Sequence, residues 1–360
     1  VSTTTAISQD SRASQDQGRA TPGVADLRRP VSVRTAWLLA GVGVLAVLCV
    51  LSVAFGVREV SAADVVAALT GHDDTIAQAA IIKRIPRTVL ALLVGAALAL
   101  SGATMQAVTR NPIAEPGILG VSNGAALAVV VGIAFAGITS AYGQMALAIA
   151  GAALAATFVY AVGSLGRGGA TPLKLALAGA ATSAAFASLV SAIMLPRVDL
   201  LQAFQSWQIG GVGGAEWPRI AMTAPVLAVG ALICFAASRG MNSLALGDDM
   251  AAGLGEHVFR TRLVSALGAV ILAGAATAIA GPIGFIGLVV PHVCRMLIGT
   301  DHRWLLPFSA LAGAALLTAS DVIGRVIAPS SEEIQVGIIT AVLGAPFFIW
   351  IVRRQKVREL

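Results

Sequence analysis

The sequence predicts an all-α polytopic membrane protein with about ten transmembrane helices. Composition and pattern together predict it. Hydrophobic residues make up 57% of the 360 residues and charged residues only 12%, where a soluble domain carries ~25% charged residues. The mean hydropathy is +0.86. The apolar residues form continuous runs, not the alternating pattern of a membrane barrel. Residues 88–109 contain no charge at all, and at ~1.5 Å rise per residue such a run crosses a hydrocarbon layer of ~30 Å.

In chain order, residues 1–33 are rich in Ser, Thr, Gln, Asp, Arg and Pro and lack apolar periodicity. This composition predicts a disordered cytoplasmic tail. It does not fit a cleavable signal, because the charged part is too long and the apolar run 37–56 is long enough to stay as a span. One membrane domain follows over 34–353. Its spans are expected at 35–57, 88–109, 116–136, 142–165, 172–195, 218–238, 260–281, 283–299, 304–323 and 335–352. Gly281-Pro282 divides one long apolar stretch into two spans, which a tight turn would join. Residues 354–360 form a basic cytoplasmic tail. With both termini inside, basic residues favour the cytoplasmic side by roughly two to one, as membrane topology requires. The exterior cluster Lys83, Arg84 and Arg87 departs from that rule, which suggests a specific role.

Several function classes are disfavoured. The net charge of +6 comes from residues scattered among loops and tails, so it does not argue for nucleic acid. Cys49, Cys234 and Cys294 are isolated, and His72, His257, His292 and His302 have no metal-ligand spacing. No metal or other cofactor is expected. Residues 116–166 and 263–291 hold no Asp, Glu, Lys, Arg or His. An ion-coupled secondary transporter, the alternative from another class, normally needs ionisable groups at mid-membrane depth. A P-loop needs Gly-Lys-Ser/Thr, yet none of Lys83, Lys174 and Lys356 follows a glycine. No catalytic residue is expected, and any ATP would be hydrolysed by a separate subunit. A membrane scaffold that transports nothing would not need the next feature.

That feature is the stretch 242–262, NSLALGDDMAAGLGEHVFRTR. Asp248 is placed to cap a short helix, with Asp249 in its first turn, and Gly255 to end it in a left-handed conformation. Leu246, Met250 and Leu254 then form an apolar stripe, which needs a partner surface or a bed of lipid headgroups.

The motif order resembles the iron-siderophore/cobalamin permease family of ABC importers (FecCD type), over about 33–352. The elements are Arg84-x-Pro86-Arg87, Gly102-x-x-Met105-Gln106, Asn111-Pro112-x-Ala114-x-Pro116-Gly117-x-x-Gly120 and Ser122-x-Gly124. After Trp207 and Gly210-Gly211 come Leu246-Gly247 through Gly255, then Gly281-Pro282-Ile283-Gly284-Phe285-Ile286-Gly287-Leu288. Pro291-His292, Arg295, Asp301-His302-Arg303 and Gly344-Ala345-Pro346 complete the order. Glu333-Ile334-Gln335 lacks the proline of the family's usual Glu-x-Pro.

The resemblance implies a permease in the bacterial plasma membrane that pairs with a second, identical or paralogous, permease chain. A cytoplasmic ATPase dimer would use ATP below, and an extracytoplasmic binding protein would dock above. It implies ferric siderophores as cargo, with cobalamin or haem as alternatives. It assigns binding-protein docking to Arg84, Arg87 and Arg325; the first two lie i,i+3 on one helix face, where exposed guanidinium groups suit carboxylates. It assigns ATPase coupling to Leu246, Gly247, Asp248, Asp249, Met250, Ala251, Leu254 and Gly255. Pathway or structural roles fall to Gly95, Gly102, Met105, Gln106, Asn111, Pro112, Pro116, Gly117, Gly120, Gly124, Gly281, Pro282, Gly284 and Gly287, with Gly95, Gly102, Met105 and Gly124 on the spans expected to wall the pathway.

Overall fold

The computed structural model describes residues 30–56, 60–72, 74–165, 172–197, 207–328 and 333–356. Most of the two expected tails lies outside the described residues. Within them the fold is helical throughout: α1 (Val31–Ala54), α2 (Ala62–Leu69), α3 (Ile76–Thr109), a 3-10 turn (Pro116–Leu119), α4 (Val121–Ala136), α5 (Ala141–Ser164), α6 (Pro172–Met194), α7 (Trp217–Ala236), α8 (Ser238–Leu244), α9 (Asp248–Gly253), α10 (Val258–Ala280), α11 (Ile286–Ile298), α12 (His302–Ile327) and α13 (Val336–Lys356). Seven are long and apolar enough to cross a membrane, and α4, α11 and α13 are shorter apolar helices. These ten correspond one to one with the expected spans.

The borders differ at informative places. Helix α1 begins at Val31 and α13 continues to Lys356, so both helices reach into the segments read as tails. Helix α3 begins at Ile76, because Thr75 and Gln78 form a reciprocal capping box that holds the orphan amides of the first turn. Its 34 residues make a rod of ~51 Å, longer than the hydrocarbon layer. Helix α2 was not among the expected spans. It too starts with a capping box, Ser61 with Asp64, and that local signal was available in the sequence.

Helix α3 is the hub. It packs against α12, α10, α11 and α7, while α4, α5 and α6 form a second group reached through α10. Leu90, Val94 and Leu98 of α3 share one core with Leu272, Ile286, Leu305 and Leu317. Met105 shares a second with Val121, Ala148, Ala152 and Ala273. Lipid gives no hydrophobic drive between helices, so close backbone approach carries the packing. The tightest approach is α3 on α11. A Cβ at Gly102 would lie 2.0 Å from the Gly287 carbonyl oxygen and 2.3 Å from its Cα. Gly102→Ala should therefore lower stability by ~1–3 kcal/mol through overpacking. Gly284→Ala, where nothing lies within 4 Å of the added carbon, should stay within ~0.5 kcal/mol. Thermal unfolding of the two variants in detergent checks this; equal melting temperatures would refute the packing account.

The expected tight turn at Gly281-Pro282 is replaced by an irregular stretch, 281–285. The reason is length. The 13 residues of α11 span only ~20 Å, and the irregular stretch, left-handed at Gly281 and Phe285, adds to that length. Irregular backbone inside a membrane protein must be satisfied by protein. Here Gly281 N–H donates to Thr277 O (2.9 Å) and the Ala280 carbonyl accepts from Gly211 N–H (2.8 Å). Glu115, from the loop before the 3-10 turn, bonds the backbone of Phe285.

Candidate functional sites at the two ends of the bundle

At the end where α1 begins, α8 and α9 form a short hairpin beside the start of α10. Gly247 precedes α9 with φ 112° and ψ 154°, a conformation that glycine alone adopts readily. This corrects the expected cap. Asp248 is the first helical residue, and the N-cap, Gly247, makes no side-chain bond. The Asp248 carboxylate is instead a clamp, 2.9 Å from Arg110 Nη2 and 2.9 Å from Arg262 Nη2. Arg110 closes α3 in the left-handed region, and its Nε donates to Leu244 O at 2.8 Å. One aspartate thus joins the ends of α3, α9 and α10. Asp249 shares the first turn, Ala251 is fully buried, and Gly255 takes φ +82°. Leu246, Met250 and Leu254 are 59%, 61% and 66% exposed. The apolar stripe is present and faces outward.

A second polar knot lies nearby. Asn242 Nδ2 donates to Asp301 Oδ1 at 2.8 Å, and Arg34 lies 3.6 Å from Asp301 Oδ2. Burial pushes the Asp301 carboxyl up, but the bonds from Asn242 and the Arg303 amide, with the charges of Arg34 and Arg303, outweigh it and hold the group below its ordinary value.

At the opposite end the three arginines meet, but they are not exposed. Arg84 is 7% and Arg325 3% accessible. Arg84 Nη1 donates to Val53 O (3.0 Å) and Ala54 O (3.1 Å) at the end of α1. Arg325 Nη1 donates to Ser52 O (2.9 Å) and Phe55 O (3.1 Å), and its Nη2 to Ser52 Oγ (2.8 Å). The expectation of free guanidinium groups is corrected for a physical reason. The last carbonyls of α1 have no partners within the helix, and arginine forks supply them.

Arg87 is divided. Its Nε and Nη2 bind Asp321 at 3.0 and 2.8 Å, and its Nη1 binds Glu333. Asp321 also pairs with Arg325, one turn away, at 3.0 Å. Side-chain exposure is 11% for Arg87, 1% for Asp321 and 41% for Glu333. Neither acid was assigned to this cluster from sequence. The i,i+4 spacing of Asp321 and Arg325 was a usable signal, whereas the pairing of Arg87 with Glu333 had none.

Between the ends, the glycines and Met105 expected to wall a pathway are buried inside the chain. Gly95 faces the Gly313 backbone, Gly102 faces Gly287 and Gly124 faces Gly151, while Met105 is 3% accessible. Gln106 Nε2 donates to Gly287 O at 3.0 Å, and its Oε1 accepts from Arg295. Asn111 Oδ1 accepts from Ile113 N–H at 3.1 Å. Gly120 and Gly281 have positive φ, Pro116 opens the 3-10 turn with Gly117 following, Pro112 is exposed in the preceding loop, and Pro282 passes its carbonyl close to Gly210. These are packing and turn roles. An apolar groove lies elsewhere. Ile209, Gly337, Ile338, Ala341, Val342, Ala345 and Pro346 line a shallow groove of about 580 Å³ along α13.

Comparison with known proteins gives one consistent result. The FecCD transport family matches residues 44–354. The iron(3+)-hydroxamate import system permease protein FhuB of Bacillus subtilis is 43% identical over 89% of this chain and 83% of its own length. The ferric enterobactin transport system permease protein FepD of Escherichia coli is 43% identical over 86% of this chain and 93% of its own. A solved structure described as an inward-facing conformation of a putative metal-chelate type ABC transporter matches with a TM-score of 0.75 and 28% identity, covering 89% of this chain and 99% of that one.

Proposed function

Since this chain belongs to the FecCD transport family, and is thus a multi-pass membrane permease subunit of an ABC importer, we propose that its cargo is a ferric siderophore. The observation that carries this reading is that the two relatives above, each 43% identical over most of the chain, are named for import of iron chelates. Cobalamin and haem are the alternatives within the same architecture. The wall that meets the cargo is the apolar face of α13 with Ile209, which carries no charge to trap a polar chelate. A second permease chain, identical or paralogous, would lie across that groove.

The α1-start end is the cytoplasmic one in this reading. The exposed stripe of Leu246, Met250 and Leu254 takes up a groove on an ATPase subunit, which uses the ATP. Asp248 passes the movement of α9 to α3 and α10 through Arg110 and Arg262. The arginine end faces an extracytoplasmic binding protein. Because Arg84 and Arg325 are committed to α1 carbonyls, Arg87 is the guanidinium best placed to meet a partner's carboxylate, while the other two hold its platform.

The cargo is tested by uptake. Deleting the gene should abolish accumulation of labelled iron supplied as a siderophore and leave amino-acid and sugar uptake unchanged. If iron uptake from every siderophore tested persists while cobalamin uptake fails, the cargo assignment is wrong.

A further inference from the structure

Arg87 holds two carboxylates of different kinds. Asp321 sits on α12, is 1% exposed and binds the Nε/Nη2 edge. It is also held by Arg325, so it is part of the frame. Glu333 lies in the irregular stretch just before α13, is 41% exposed and binds only the outward Nη1. The neighbouring backbone is Gly213, where an added Cβ would still lie 3.7 Å from Arg87 Nη1 and 3.8 Å from Glu333 Oε2.

We propose that Glu333 is a built-in competitor for the docking site, occupying the outward donor of Arg87 until an acidic side chain of the binding protein displaces it. This rests on the docking reading of Arg87 given above. The competition is one of charge. A planar guanidinium offers a limited set of donors, and those on the Asp321 edge are buried and taken. Asp321 takes Nε–H and one Nη2–H, so an incoming carboxylate reaches Arg87 from the Glu333 side, where a second anion beside Glu333 is repelled until Glu333 leaves. The exchange keeps the charge of the cluster compensated in both states, so the arginines are never bare on the surface. It also explains why a family-type docking arginine appears paired within its own chain.

The inference gives a sign opposite to that of an acidic contact residue. Removing the Glu333 charge should tighten the partner. The contact is a partly exposed ion pair of modest strength, so Glu333→Gln should raise affinity about two- to fivefold. The assay uses the full complex of permease and ATPase in nanodiscs, titrated with the ferric-siderophore-binding protein that drives uptake through it. Glu216→Gln is the control, since Glu216 is an exposed acid at the N-cap of α7 whose side chain makes no capping bond. It removes the same charge from the same connection that carries Gly213 and should change affinity less than about 1.5-fold. In an Arg87→Gln background, Glu333→Gln should have no further effect.

If Glu333→Gln tightens binding no more than Glu216→Gln, while Arg87→Gln still weakens it, competition is refuted and docking stands. If Arg87→Gln leaves wild-type affinity unchanged, docking itself fails and competition with it. Gain in affinity with Glu333→Gln that persists in the Arg87→Gln background would also overturn the proposal, because the effect would then be general charge.

Discussion

Replacing Ala251 with proline should abolish ATP-driven uptake while the permease still reaches the membrane. Ala251 N–H donates to Gly247 O at 2.8 Å, and that bond sets the first turn of α9. Proline has no N–H and clashes with the preceding turn, a cost of ~3 kcal/mol or more in a helix interior. Helix α9 has only six residues, so it cannot bend around the defect and keep its stripe. The spans contribute their own packing and are unaffected. A surface variant separates contact from folding. Met250→Glu changes a side chain 61% exposed and should leave stability within ~0.5 kcal/mol. It should still cost more than tenfold in ATPase co-purification, because it places a charge in an apolar contact. Normal co-purification and normal uptake in both variants would remove α9 from the coupling role.

Reversing Arg87 to Glu should have the second largest effect, and it acts at two levels. It leaves the 1%-exposed Asp321 with Arg325 alone and sets a third carboxylate beside Asp321 and Glu333. Losing one partner of a buried pair costs ~3–5 kcal/mol, so the melting temperature should fall. Capture of the binding protein should fall by more than tenfold as well. Arg87→Lys keeps the charge but not the fork, and it should recover part of the stability and less of the capture. For wild type, the docking interaction should weaken as salt rises. If Arg87→Glu lowers the melting temperature but leaves binding-protein affinity unchanged, the cluster is a structural lock and nothing more. Reversing Arg84 should mainly loosen the end of α1, because its fork serves the Val53 and Ala54 carbonyls.

The local structure of the striped segment was largely legible in advance. The recurrence of Leu246, Met250 and Leu254 and the helix-ending Gly255 are local signals, and all four hold in the folded chain. The role of Asp248 was not. Ser, Asn and Asp before a helix usually cap it, but a glycine at φ 112° moved the start by one residue and freed the carboxylate for Arg110 and Arg262. The arginine cluster was legible as an exception to charge bias and not as a geometry.

Local composition was enough to place ten apolar helices and their order, since the free energy of burying a segment in hydrocarbon depends on that segment's own residues and its length. The same holds for the capping boxes at Ser61 and Thr75, whose partners lie three residues away. Tertiary structure alone decided which side chains meet across helices. Arg87 and Asp321 are 234 positions apart, and Arg87 and Glu333 are 246 apart. Their meeting depends on the depth and rotation of α3 against α12, which are set by backbone contacts such as Gly95 on Gly313. It also decided that the glycines expected to wall a pathway are buried between helices, while an apolar groove lies along α13. Small residues are consistent with either place, because a missing side chain has no preference of its own for the helix it faces.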